Sequence, residues 1–264
     1  VGIISKIYKR GGKAMGRLIT LKNLSNIQVS IEPEYENESG NKTLRLIDTL
    51  CYIVNNTFKI DEKPLIIIFN KNADAPVYLS EQGTITLTAG IDQYATIIYQ
   101  LSHELCHFGM VNPVPSHMKW FEESLCELSS YYFLLEMYSL CRKKFIETND
   151  EEYKYYPEFL KCYIINSEKY EIFHTHNVLF GTDENLVQQF YNNPYMREKN
   201  RYIAIKLLPV FQITPELWKA IPYLGLETDV TLLYVYLQEL NNYCKQNIGV
   251  DISPIYNSLT EYHL

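Results

Sequence analysis

Leu101-Ser102-His103-Glu104-Leu105-Cys106-His107 is the stretch that decides how this chain reads, because it holds the pattern H-E-x-x-H. On a helix, residues four apart stand one turn above another, so His103 and His107 point the same way. Two imidazoles so placed can grip one zinc ion, and the adjacent carboxylate of Glu104 can take a proton from water at that ion. The flanking residues predict a helix from about Asp92 to Met110. Ile98, Leu101, Leu105 and Phe108 recur at helical spacing and form an apolar stripe, while Thr96, Gln100, His103 and His107 form a second, mostly polar one. Such a helix packs on one side and presents its histidines on another. Cys106 reads as a core thiol.

Upstream, Gly90 breaks the chain ahead of this helix. Thr84 to Thr88 alternates strictly, with Ile85 and Leu87 on one face and threonines on the other. One buried and one wet face suit an outer strand of a mixed or antiparallel sheet. Leu65-Ile66-Ile67-Ile68-Phe69, after Pro64, is a continuous apolar run and reads as a buried strand. Val77 to Ser80 reads as a further short strand, with Glu81-Gln82-Gly83 as a turn. Leu44, Ile47, Cys51 and Val54 predict a helix over Thr43 to Phe58. Residues 1–40 run from basic (Lys6, Lys9, Arg10, Lys13, Arg17) to acidic (Glu32, Glu34, Glu36, Glu38), and are expected to be an appendage with weak local structure.

Downstream, Pro113 and Pro115 end the motif helix and turn the chain. A second long helix follows from about Met118 to Lys144, with Phe121, Leu125, Leu128, Tyr132 and Leu135 on its core face. Glu123 and Glu127 lie one turn apart on a different face. So short a connection makes the two helices neighbours in space. Past Asn149-Asp150, helices are expected over residues 152–163, 184–191, 201–210 and 230–245, punctuated by Pro194, Pro209, Pro215 and Pro222. The fold class is therefore α+β: a small mixed sheet with an edge strand above the motif helix, followed by a mostly helical C-terminal lobe. Its expected divisions are the appendage at 1–40, an α/β lobe at 41–110 and a helical lobe at 111–264.

Composition narrows the function classes. A net charge of -7 sets nucleic acid aside as the main partner. No run approaches the roughly 18 apolar residues of a membrane span. The six cysteines (51, 106, 126, 141, 162, 244) form no CxxC pair, so they read as reduced core residues in a cytoplasmic setting. The 23 tyrosines read as helix-packing aromatics. No pattern specifies an oligomeric state.

A catalytic zinc usually takes three protein ligands and leaves a fourth position for water. Candidates for the third ligand are His117, Glu122, Glu123 and Glu127. His117 lies in the proline-bearing turn and reaches only by special loop geometry. Glu122 is about 100° round the helix from Glu123, so those two cannot both point at one ion.

His103-Glu104-Leu105-Cys106-His107 followed by Trp120-Phe121-Glu122-Glu123-Ser124-Leu125-Cys126-Glu127 resembles the gluzincin metallopeptidases, including thermolysin-like and aminopeptidase-N-like enzymes. These carry H-E-x-x-H on one helix and a glutamate ligand on the next, often in a W-x-x-E-G-x-A setting. The resemblance covers about residues 84–136. It implies a zincin-like fold with Zn2+ held by His103, His107 and Glu123, with Ser124 and Cys126 where the family has small residues. Glu127 matches the acid that some members use to orient a zinc histidine. Fifteen residues separate His107 from Glu123, a shorter gap than is usual in the family, whereas Glu127, with nineteen, fits the count. The Trp120 setting aligns Glu123. The metzincin pattern H-E-x-x-H-x-x-G-x-x-H fails, because Met110 and Pro113 occupy its Gly and His positions.

The implied activity is hydrolysis of a peptide or protein substrate, with Glu104 as general base and the Thr84–Thr88 strand holding extended substrate at the sheet edge. Gluzincins also use a His or Tyr from a later segment to stabilise the oxyanion, for which His174, His176, Tyr195 and Tyr202 are candidates. The alternative is a catalytically inactive zincin-fold binding or regulatory protein.

Overall fold

The structure, a computed structural model, describes residues 9–10, 13–14, 16–60, 62–149, 153, 156, 160, 184–226 and 232–260. It is an α+β protein built on a mixed sheet. After a minimal hairpin of β1 (Lys9–Arg10) and β2 (Lys13–Ala14), the sheet contains β3 (Arg17–Thr20), β4 (Ile27–Ile31), β5 (Leu65–Phe69), β6 (Val77–Leu79) and β7 (Thr84–Leu87). Its spatial order is β3-β4-β5-β7-β6. The β4/β5 and β5/β7 pairs are parallel, and the two outer pairs are antiparallel.

Two sequence expectations are corrected by this sheet. Residues 17–31 are not a weakly structured appendage but two of its strands. Ile27, Val29 and Ile31 are buried on one face, and the run is short enough for charged neighbours on both sides to hide its alternation. Nor is the Thr84–Thr88 segment an outer strand. β7 is hydrogen-bonded on both sides, Ile67 opposite Ile85 and Tyr78 opposite Ile85, and Thr86 is buried with its apolar neighbours. Threonine tolerates that position because its methyl group packs as valine would, so alternation of Thr with Ile and Leu did not mean a wet face. The edge belongs to β6. Between them, Gly83 adopts φ 56°, a left-handed turn that only glycine takes without cost.

The first helix, α1 (Glu38–Thr57), starts where the Asn37 side chain accepts from the Gly40 N–H, and buries Ile47, Leu50, Cys51 and Val54. The motif helix, α2 (Tyr94–Gly109), buries Ile97, Ile98, Leu101, Leu105 and Phe108. Gln100, from its polar stripe, latches it to the sheet. Its Oε1 accepts from the Thr88 and Ala89 N–H groups at 3.0 and 3.1 Å, and its Nε2 donates to Thr88 Oγ1 at 2.8 Å. Gly109 ends the helix against Phe58, where an added Cβ would stand 2.9 Å from the ring.

The second long helix, α3 (Lys119–Thr148), lies along α2. It is knitted to that helix by Ser129 Oγ donating to Ser102 O and Ser130 Oγ donating to Tyr99 O, both at 2.9 Å. Then come α4 (Glu184–Asn192), α5 (Arg197–Ile213), a 3-10 segment at Pro215–Tyr223, α6 (Leu233–Ile248) and α7 (Ser253–Thr260). α5 continues through Pro209 rather than breaking there. Trp120 stacks on Phe190 at 4.6 Å, and Trp218 meets Phe58, Tyr132, Phe133 and Phe211, so much of the aromatic content is packing. One core joins these helices to the sheet. The helix expected over 152–163 falls outside the described residues except for Tyr153, Tyr156 and Leu160, which are helical. No helix among the described residues is long and apolar enough to cross a membrane.

Candidate metal and active site

α2 and α3 cross where their polar positions meet, and the residues singled out from the sequence converge there. The His103 and His107 rings lie 5.1 Å apart. Glu123 divides its carboxylate between them, Oε2 at 3.5 Å from His103 Nε2 and Oε1 at 3.7 Å from His107 Nε2. Two imidazole nitrogens and one carboxylate are a donor set suited to zinc. All three side chains are largely buried and face a cleft of about 830 Å³ that Glu104 also lines. Glu104 itself is 3% exposed.

Neighbouring residues orient these side chains. Glu122, weighed from sequence as a ligand, turns instead to the far nitrogen of His107. The Nδ1–H donates to Glu122 Oε1 at 2.6 Å, which leaves Nε2 as the lone-pair atom facing Glu123. Lys119 Nζ donates to the same oxygen at 2.6 Å. Burial would raise the Glu122 pKa, but His107 and Lys119 together hold it below the usual carboxylate range. Glu127 sits on the other side. Its Oε2 is 3.9 Å from His103 Nδ1, while its Oε1 accepts from Tyr99 Oη and, at 3.1 Å, from Arg201 Nε. Burial and the Glu127 charge push the Tyr99 phenol far up, so it remains a donor.

Mutual pairing of carboxylates and imidazoles sets the charges here. Burial pulls the His103 pKa down, yet Glu123, Glu104 and Glu127 raise it above its ordinary value. Burial likewise works against the Glu123 carboxylate, but His103, His107 and Lys119 keep it low and charged. Potential ligand atoms gather within 4.8 Å in two sets, His107 with Glu122 and Glu123, and His103 with His107 and Cys126. Cys126 is fully buried, and burial and the neighbouring Cys106 thiol raise its pKa well above normal.

Of the remaining sequence candidates, Tyr195 lines the cleft, whereas Tyr202 does not. His117 lies in the turn at Ser116–Met118 and outside the cleft lining. His174 and His176 lie outside the described residues. Sequence reasoning missed Tyr99, Lys119, Asn200 and Arg201. Tyr99 is four residues before His103, a spacing that places it on the same helical face and could have drawn notice. Arg201 arrives from a helix whose register no local pattern sets. Comparison with protein-family models, with curated proteins and with solved structures finds no match to this chain.

Proposed function

We propose that this protein is a zinc-dependent peptidase with a zincin-like, gluzincin-type centre. The observation that carries the reading is the Glu123 carboxylate set between the Nε2 atoms of His103 and His107, on a cleft that the buried Glu104 also lines. His103, His107 and Glu123 would hold the ion, and a zinc bound there supplies Lewis-acid activation of water and carbonyl.

The chain's own residues do the rest. Glu122 fixes the tautomer of His107, and Glu127, held by Tyr99 and Arg201, stands beside His103 Nδ1. Glu104 takes the proton of the attacking water and delivers it to the departing amine. Tyr195, exposed at the cleft, is the sequence candidate placed to donate to the developing oxyanion. β6 is one of the sheet's two edge strands, and Val77 and Tyr78 line the cleft, so extended substrate adds to β6 rather than to β7.

Zinc content and cleavage of a peptide library test this together. Repleted protein should hold one zinc per chain and cut peptides; the Glu104→Gln protein should keep the zinc and lose cleavage. Cleavage surviving that substitution would overturn the base assignment. Zinc bound with no cleavage by the wild type would leave a zincin-fold binding protein.

A further inference from the structure

The charges lining the cleft are unequally committed. Glu122 is held by His107 and Lys119, Glu123 faces both motif histidines, and Glu127 carries Tyr99 and Arg201. Glu104 is the base of the proposed reaction. None of these four carboxylates is left to receive a substrate's ammonium group. Among the cations of the lining, Lys119 is tied to Glu122 and Lys63 has an interaction of its own, but Arg197 is exposed, lines the cleft and has no ion-pair partner among the described residues.

Arg197 is also firmly mounted. It opens α5, and the turn before it is braced by buried Asn200, whose Nδ2 donates to Pro194 O at 2.7 Å. Asn200 Oδ1 lies 3.4 Å from Ser124 Oγ, whose proton goes to Trp120 O at 2.8 Å, and Ser124 directly follows Glu123. The Tyr195 N–H donates to Asn193 Oδ1 at 3.1 Å, and the Lys199 and Asn200 N–H groups close on Met196 O. The rim bearing Tyr195 and Arg197 is thus anchored to the helix that carries the third ligand. A guanidinium on a fixed backbone, unpaired and facing a cleft, is arranged to take a carboxylate through two parallel N–H donors.

We propose that the cleft selects peptides carrying an acidic side chain beside the bond to be cut, with no requirement for a free α-amine, and that Arg197 is the residue that pairs with that acid. The inference rests on the peptidase reading above and adds its substrate class. A free-amine requirement would need an uncommitted carboxylate, and the four in the cleft are all in use.

An N-acetylated, internally quenched apolar octapeptide, scanned with Asp, Asn and Lys through its positions, tests this on zinc-loaded full-length protein. At one position Asp should exceed Asn in kcat/KM by about two- to fivefold, chiefly through KM, as expected for one exposed charge pair. Arg197→Glu should invert the preference toward Lys at that position, while Arg197→Lys should retain part of it. No charge preference, a preference untouched by Arg197→Glu, or cleavage only of unacetylated peptides would overturn the proposal. Anisotropy titrations of the same peptides, fluorescein-labelled, with zinc-loaded Glu104→Gln protein separate the two readings. Binding that keeps the Arg197-dependent acidic preference while the wild type cuts none of the peptides sinks hydrolysis and leaves the selectivity standing. Absence of binding and of cleavage overturns the selectivity as well.

Discussion

Glu122 and Glu123 are adjacent in sequence and face different nitrogens of the same imidazole, so single substitutions should tell them apart. Glu123→Ala removes one of three proposed ligands and should lower zinc affinity by more than about 100-fold, beyond the range of an outer partner. Glu122→Ala leaves all ligands in place but frees the His107 ring from its 2.6 Å partner, so a loss of about 10- to 100-fold is expected. Competition titration against a zinc chelator measures both; equal losses, or a dominant effect of Glu127→Ala, would overturn the assignment. The convergence of His103, His107 and Glu123 on one cleft was legible in the sequence because H-E-x-x-H sets its histidines one turn apart and a short connection brings the next helix alongside. Of the partners, Glu127 was legible as an acid beside a motif histidine, whereas the pairing of Glu122 with His107 and the contacts of Lys119, Tyr99 and Arg201 were not. Glu122 pointed away from the proposed ion by helical geometry, but where it pointed instead depended on how far α3 is rotated against α2, which no local pattern encodes.

α2 and α3 owe their spacing to small hydroxyl residues, and the site depends on that spacing. Ser129 and Ser130 are buried and place their oxygens on backbone carbonyls of the opposite helix. Ser129→Ala should cost about 1 kcal/mol for the lost hydrogen bond, with zinc binding nearly intact. Ser129→Leu should wedge the helices apart, costing about 1–3 kcal/mol and weakening zinc as well; denaturant melts and zinc titration of the pair of variants test this. A second element-level device closes the C-terminal end. Asp251 Oδ1 accepts from the Ser253 N–H at 2.9 Å at the start of α7, and Oδ2 pairs with Lys245 at 2.9 Å. These contacts, the Ser253 backbone foremost, depress its pKa from 3.8 to about 2. A depressed carboxylate contributes stability above its unfolded pKa and loses it as pH falls through the folded one. Asp251→Ala should therefore cost about 1 kcal/mol at neutral pH, with the difference from wild type closing between about pH 4 and pH 2 in urea melts. The helices themselves were legible from three- and four-residue apolar spacing. The position of β7 was not, because threonine fits both an exposed face and a buried, β-branched one.

At the scale of the molecule, the sheet, α2, α3 and the C-terminal helices share one core, so the site lies inside the cooperative unit. The wall of the cleft after α2 belongs to it too. The Val111 N–H donates to Pro222 O at 3.1 Å, and Gly225 packs so closely on Asn112 that a Cβ would meet its carbonyl oxygen at 2.2 Å. This long-range closure was hidden in the sequence, since it joins segments more than a hundred residues apart whose only local signal is a proline or a glycine. A ligand bound between α2 and α3 must then stabilise the whole fold by mass action. Free zinc at about 1,000 times its Kd should add about 4 kcal/mol. At about 2–4 °C per kcal/mol for a domain of this size, that raises Tm by roughly 10 °C. The proton that the carboxylates draw onto His103 competes with the ion, because a ligand imidazole must be neutral. Acid therefore favours the metal-free, protonated site, and the zinc-induced rise should shrink steadily as pH is lowered from about 7.5 to 5.5. Calorimetry with and without chelator reads the shift. In His107→Ala the rise should nearly vanish at every pH, and a full rise in that variant would mean that the stabilising ion sits elsewhere.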